Sequence, residues 1–324
     1  MIMFSMTSKP KIIFIGTPKF GAIILDGLIQ DNLKPVLVVT APDKPVGRKQ
    51  ILTPSPVKVL AEKYEISVLQ PKKLLTVARE LSAVNPDLII VAAYGQILSK
   101  EILEIPKYGS LNLHPSLLPR WRGASPVQST ILAGDKETGT TIILMNNKMD
   151  HGPIIAGGKL RIKNEKWTYR KLEEELANLG AELLIKTIPK WIKEEIKPAV
   201  QNEADATYTK IIRKEDGRID WKKPAQEIER QIRAFEKWPG SFCFWPKNGQ
   251  NIRFKILKAE TLIQSSHGPF GALGKTFQAS NNKIAVQTGK DFLIIEELQP
   301  ESKKPQRSED FLRGHPDFVG IILE

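Results

Sequence analysis

Cysteine and histidine are scarce in this chain, which has one of the first and four of the second in 324 residues. A lone Cys243 excludes an intramolecular disulfide and any cysteine-clustered metal site. Its neighbours Phe242, Phe244 and Trp245 suggest an inert, packed thiol and a reducing compartment. His114, His151, His267 and His315 have no ligand-like spacing, so no metal is expected. Long apolar runs are also missing, and the absence of any eighteen-residue apolar stretch argues against a membrane-spanning helix. The opening Met-Ile-Met-Phe-Ser-Met lacks the charged start and long apolar core of a secretory signal. A cytoplasmic, monomeric protein is the expectation. Internal repeats and low-complexity tracts are absent.

Positive charge, by contrast, is in excess. Lys and Arg number 48 against 36 Asp and Glu, a net +12, which suggests a polyanionic partner. Residues 208–324 carry 20 basic against 15 acidic side chains, a net +5 that leaves +7 for the rest. A nucleic-acid surface would therefore draw on both parts of the chain.

The length accommodates two domains, each with its own core. In the first half, apolar runs at 11–16, 35–40, 87–93, 110–114 and 138–145 read as buried strands. Helical spacing falls between them, at 18–30, 55–64, 76–84 and 125–133, with a long amphipathic helix at 168–196. This alternation predicts an α/β domain over 1–196 with a Rossmann-like, mostly parallel sheet and helices on both faces. Residues 197–207 read as a linker. Short strands and turns over 208–324 predict a small β-barrel, OB-like C-terminal domain.

Gly16-Thr-Pro-Lys-Phe-Gly21 after the first strand departs from the dinucleotide-binding fingerprint. Pro18 removes a donor, and Thr40-Ala41 stand where an acidic residue would close the second strand. The loop reads instead as tight strand-to-helix geometry.

Asn112 and His114 lie two apart on a strand, so their side chains share a face. An amide can hold a carbonyl oxygen and an imidazole can move a proton, as acyl transfer needs. Asp150, on a Gly-Pro turn after a later strand, is placed to reach His114 across strand ends, to orient its ring and favour its protonated form.

Asn112-x-His114, Ser116-Leu-Leu-Pro119, Arg122-Gly123 and Asp150 thirty-six positions after the histidine together resemble the core of the 10-formyltetrahydrofolate-dependent transformylases. The resemblance implies 10-formyltetrahydrofolate as co-substrate and Asn112, His114 and Asp150 as catalytic residues. It also implies a folate pocket from Ser116, Leu117, Leu118 and Pro119, the loop before Asp150, and Ile90, Ala92, Tyr94 and Gly95. Two features are similar to the branch of the family that formylates methionyl initiator tRNA. One is the basic, Pro-rich stretch 41–58, whose Lys44, Arg48 and Lys49 suit phosphate contacts; the other is the basic C-terminal part, similar to a tRNA-binding domain. The pattern departs from the family at Asn146, Lys148 and His151, and at Lys44, where arginine is common. A sugar-amine N-formyltransferase and a catalytically inactive RNA-binding relative are the alternatives.

Overall fold

A computed structural model describes residues 9–47, 49–263, 271–279 and 282–324. Arg48 and His267 lie outside the described residues. The chain divides into two compact units. Unit 1 comprises the described residues of Met1–Pro126, Lys136–Ile162 and Leu172–Thr209. Unit 2 comprises those of Lys210–Glu324 together with two short stretches from the first half, Val127–Asp135 and Lys163–Lys171.

The elements in chain order to residue 192 are β1 (Ile12–Gly16), α1 (Lys19–Gln30), β2 (Leu37–Val39), β3 (Lys44–Val46), β4 (Ile51–Thr53), α2 (Pro56–Lys63), β5 (Val68–Leu69), α3 (Ala78–Ala83), β6 (Leu88–Ala92), α4 (Lys100–Leu103), β7 (Ser110–His114), α5 (Pro126–Ala133), β8 (Glu137–Leu144), β9 (Ile154–Arg161) and α6 (Tyr169–Ile192). Unit 1 is built on a seven-stranded sheet in the order β5-β2-β1-β6-β7-β8-β9. The first five strands of that order run parallel, and β8 and β9 are antiparallel to their neighbours.

Every residue of β1, β2 and β6 is buried, as expected of parallel strands covered on both faces. One core joins Ile13, Ile15, Val39, Ile89 and Val91 to Leu74, Leu81, Leu98 and Ile102. The glycines at the first strand-to-helix turn serve close packing. A Cβ on Gly16 or Gly21 would stand 2.7 or 2.8 Å from the Ala92 carbonyl oxygen, closer than carbon and oxygen approach without bonding. Helix α2 starts as its sequence dictates: the Ser55 hydroxyl accepts from the Lys58 amide at 3.1 Å and Pro56 occupies the first turn.

Several elements, β5 and α4 among them, are not foreseen by the pattern reading. The stretch 76–84 opens as a 3-10 turn, Leu74–Val77, before α3 begins. The basic stretch at 41–58 contains a hairpin, β3 paired with β4 through Lys44↔Thr53 and Val46↔Ile51. Strand β9 pairs with β8 along its length, although Gly157 and Gly158 interrupt its alternation.

Unit 2 adds α7 (Ala225–Ala234), β10 (Ser241–Lys247), β11 (Gln250–Leu262), β12 (Thr276–Gln278), β13 (Ile284–Gln287), β14 (Phe292–Pro300), β15 (Gln306–Arg307) and α8 (Ser308–Gly314). Its antiparallel strands follow the order β10-β11-β14-β13-β12, with β15 on β14. Alternate strand residues point inward, so that Trp245, Phe254 and Leu293 form one core with Ile228 and Ile232 of α7, Phe311 of α8 and Phe318. Cys243 is fully enclosed in that core. Burial pushes its thiol well up from the ordinary cysteine range, so the expected inert thiol is what the fold holds.

Candidate active site

Strand β7 carries the two polar residues on one face because they are two positions apart. Asn112 lies opposite Val91 of β6 and Ile143 of β8, and His114 lies opposite Thr141. This is where the sheet changes from parallel to antiparallel pairing. His114 is 4% exposed. Asn112 is half-buried, and its carboxamide has no hydrogen-bond partner among the described residues, which leaves it available to a ligand.

The imidazole of His114 is fixed from both sides. Its Nε2 lies 2.9 Å from the Trp121 carbonyl, an atom that can only accept, so Nε2 carries a proton. Its Nδ1 lies 3.6 Å from Asp150 Oδ1. Both neighbours are acceptors, the carbonyl within hydrogen-bond distance and the carboxylate at ion-pair distance. The other carboxylate oxygen, Asp150 Oδ2, accepts from the Gly123 amide at 2.8 Å. Trp121, Gly123 and Asp150 all have positive φ, at 62°, 109° and 55°. Side-chain-bearing residues adopt that conformation rarely, and only where the surroundings enforce it.

What enforces it is a cluster around one buried arginine that the sequence reading did not assemble. Arg122 is completely enclosed. Its Nε and Nη2 donate to Gln201 Oε1 at 3.1 and 2.8 Å, and its Nη1 and Nη2 donate to the two oxygens of Glu203 at 2.9 and 2.8 Å. Nη1 also reaches the Tyr208 hydroxyl at 3.1 Å and His151 Nε2 at 3.0 Å. The hydrogen bonds from Arg122 hold the Glu203 carboxyl below the usual carboxylate range, and those to Glu203 raise the guanidinium further. Segment 199–209, most of it read from sequence as a linker, lies within unit 1. Ala199 pairs with Ile154, while Thr207 and Thr209 receive hydrogen bonds from the Trp121, Arg122 and Ser125 amides. Arg122 was legible as part of a motif. Its partners Gln201, Glu203 and Tyr208 lie some eighty residues further on and carry no local periodic signal.

The loop after β8 is equally tight. A Cβ on Gly152 would run into the Leu144 carbonyl. Gly152→Ala is therefore expected to destabilise the chain by about 1–3 kcal/mol, as overpacking does, and chemical denaturation measures it. The departures at 146 and 148 are accommodated locally: Asn146 Oδ1 accepts the Lys148 amide at 2.9 Å and closes the turn.

The residues expected to hold folate are placed unequally. Ile90, Ala92 and Ser116 have no exposed side-chain surface. The Ser116 hydroxyl donates to the Arg120 carbonyl at 2.6 Å and Leu118 is bound through its amide to Thr141 Oγ1 at 3.1 Å. Tyr94 is buried, which raises its hydroxyl above the usual tyrosine range. Gly95 is exposed, and Leu117 and Pro119 are half-exposed. These three and Asn112 present surface to a ligand, and the enclosed five, Ile90, Ala92, Tyr94, Ser116 and Leu118, shape the sheet end beneath them.

Of the basic residues, Lys44 and Lys49 are exposed on the hairpin and have no ionic partner among the described residues. The hairpin's base is pinned by Lys58 Nζ to Asp43 at 2.7 Å, by Gln70 to Asp43 at 2.7 Å and by Thr40 to Ser55 at 2.7 Å. Hydrogen bonding from Lys58 and Gln70 holds the Asp43 carboxyl low. Among the described residues no group of acidic, histidine or cysteine side chains could hold a metal, and no helix is long and apolar enough to cross a membrane.

A carboxamide, an imidazole and a carboxylate meet at one strand end, and the motif's hydroxyl is tied to a carbonyl. Such a site suits an enzyme that catalyses direct acyl transfer between two bound substrates. Comparison with known proteins gives the particular class. Residues 10–188 match the formyl transferase domain and residues 211–316 the formyl transferase C-terminal domain. The chain belongs to the formyl transferase family. It is 42% identical over 316 residues to a methionyl-tRNA formyltransferase of Chloroflexus aurantiacus, covering 96% of this chain and 99% of the relative. It is 43% identical to that of Bacillus velezensis, covering 97% of each. The structure of an N-formyltransferase from Helicobacter canadensis in complex with folinic acid and dTDP-3-aminofucose superimposes with a TM-score of 0.62 at 22% identity. That match covers 88% of this chain and 98% of the other, and at this identity it shows a shared fold.

Proposed function

We propose that the chain transfers the formyl group of 10-formyltetrahydrofolate to the amino group of methionine on initiator tRNA, with Asn112, His114 and Asp150 as its catalytic residues. The single observation that carries the site is the face shared by Asn112 and His114, with Asp150 closing it at 3.6 Å. The full-length likeness to methionyl-tRNA formyltransferases carries the choice of acceptor.

In this reading the methionine amine attacks the formyl carbon and the carbonyl oxygen becomes negative. The unpaired Asn112 amide and the His114 imidazole, through its Nδ1 side, stabilise that oxygen, the site being already built around them before the charge develops. The Trp121 carbonyl occupies Nε2, so Nδ1, on the Asp150 side, is the ring position free to exchange a proton. Asp150 keeps the ring oriented while the amine proton passes to the folate nitrogen, whose bond to the formyl carbon breaks. No covalent formyl-enzyme forms. Folate contacts come from the exposed turn at Gly95 and from Leu117 and Pro119. Lys44, Arg48 and Lys49 bind tRNA phosphates, and basic residues of 208–324 also contact the tRNA. We place the enzyme in the cytoplasm, as a monomer.

Comparison of acceptors tests the assignment. With 10-formyltetrahydrofolate as donor, kcat/KM should be high for methionyl initiator tRNA and negligible for free methionine and a nucleotide-linked amino sugar. Transfer to the amino sugar would keep the three catalytic residues and overturn the tRNA acceptor.

A further inference from the structure

We propose that Gln201, gripped by the buried Arg122, is a positioning residue for Asp150. The inference rests on the role given to Asp150 above and extends it to residues outside the catalytic motif. Gln201 is 5% exposed and Arg122 has no exposed surface. The Gln201 side-chain amide donates to two carbonyls on either side of His151, those of Asp150 and Gly152, both at 2.7 Å. Its oxygen accepts two hydrogen bonds from Arg122. One side chain therefore fixes the carbonyl of Asp150, a residue held at φ 55°, and that of Gly152 two positions further on. An aspartate adopts that conformation with little strain, but nothing in its own chain keeps it there.

The same Arg122 sits between the two residues that contact the catalytic pair through their main chain. Trp121 presents its carbonyl to His114, and Gly123 its amide to Asp150. The Arg122–Gln201 contact thus ties the turn after β7, which orients the imidazole, to the loop after β8, which carries the carboxylate. Glu203 neutralises the guanidinium from the far side, so that the buried charge is paired. His151, where this chain departs from its family's usual small residue, packs into the same cluster at 3.0 Å from Arg122 and 3.4 Å from Glu203. It adds a fourth partner for the guanidinium without touching Asp150's carboxylate. The hydrogen bonds of Gln201 go to Arg122 and to the loop carbonyls of Asp150 and Gly152, so its effect on the chemistry passes through the loop that carries Asp150.

A double-mutant cycle on the full chain tests this, with formyl transfer from 10-formyltetrahydrofolate to methionyl initiator tRNA as the assay. Gln201→Met keeps the volume and removes every hydrogen bond. Gln201→Glu keeps the acceptor for Arg122, replaces the two donors to the loop by a carboxylate oxygen that repels its carbonyls, and serves if the first variant melts below the assay temperature. Either should lower kcat about ten- to a hundred-fold, the effect of displacing a reacting group by about an ångström, with KM for both substrates within about twofold. In an Asp150→Asn background the same change should cost nothing further, because the group it positions is already gone. Equal losses in both backgrounds, or an unchanged kcat where Asp150→Asn alone lowers it, would overturn the positioning role and leave Asp150 in place. An unchanged kcat in Asp150→Asn itself would instead overturn the role of Asp150 on which the proposal stands.

Discussion

Replacing Asn112 by alanine lowers kcat by about 10²–10³, the usual consequence of deleting one oxyanion donor, and leaves folate affinity nearly unchanged. The reason is geometric. The Asn112 carboxamide supports no part of the protein, since it has no hydrogen-bond partner among the described residues, so its loss leaves no buried group unsatisfied. Its interaction is made when the formyl oxygen takes on charge, and an interaction made only in the transition state appears in kcat and kcat/KM alike. His114→Ala is expected to cost at least as much in rate, but it also empties a buried position that is 4% exposed and frees the Trp121 carbonyl. Some of its effect will therefore be structural, which makes Asn112 the cleaner variant. Steady-state kinetics with folate titrated separately distinguishes the two. A loss confined to KM for folate would remove Asn112 from the chemistry.

Neutralising Lys44, Arg48 and Lys49 together weakens tRNA binding by on the order of 10² and flattens its salt dependence, while kcat at saturating tRNA is retained. Each phosphate contact contributes close to 0.9 to the slope of log affinity against log salt, so three lost contacts reduce the slope by about 2–3. Lys44 and Lys49 are exposed on a hairpin pinned at its base by Asp43, Lys58 and Gln70, so neutralising them removes charge without loosening the hairpin. A filter-binding or fluorescence titration across salt concentrations reads both quantities. Unchanged affinity and slope would take the hairpin out of tRNA recognition and shift that role to the C-terminal unit.

The parts of this molecule that were legible in its sequence are those set by short-range rules. The buried parallel strands announce themselves by apolar continuity, and the face shared by Asn112 and His114 follows from the two-residue repeat of a strand. The proximity of Asp150 follows once its strand is taken as a neighbour. Other features carry no short-range periodic signal. The hairpin β3–β4 is hidden because Lys44-Pro45-Val46 and Ile51-Leu52-Thr53 are too short for a period and both strands are exposed. Strand β9 is hidden by its two glycines. The segment 197–207 reads as a linker because Lys, Pro, Gln, Asn and Glu favour solvent. Yet Gln201 is buried, because Arg122 and two loop carbonyls supply every hydrogen bond its amide needs. A polar residue whose burial is made possible by a partner eighty positions away leaves no trace in its own neighbourhood.

The central claim is that this site moves a formyl group onto charged tRNA. The most direct measurement is a single-turnover reaction of the native chain with methionyl initiator tRNA and 10-formyltetrahydrofolate carrying a labelled formyl group. The predicted result is label recovered as N-formylmethionine after hydrolysis of the tRNA ester, in step with the appearance of tetrahydrofolate. Tight tRNA binding with no label transferred would contradict it and leave an RNA-binding protein with an inactive transformylase core.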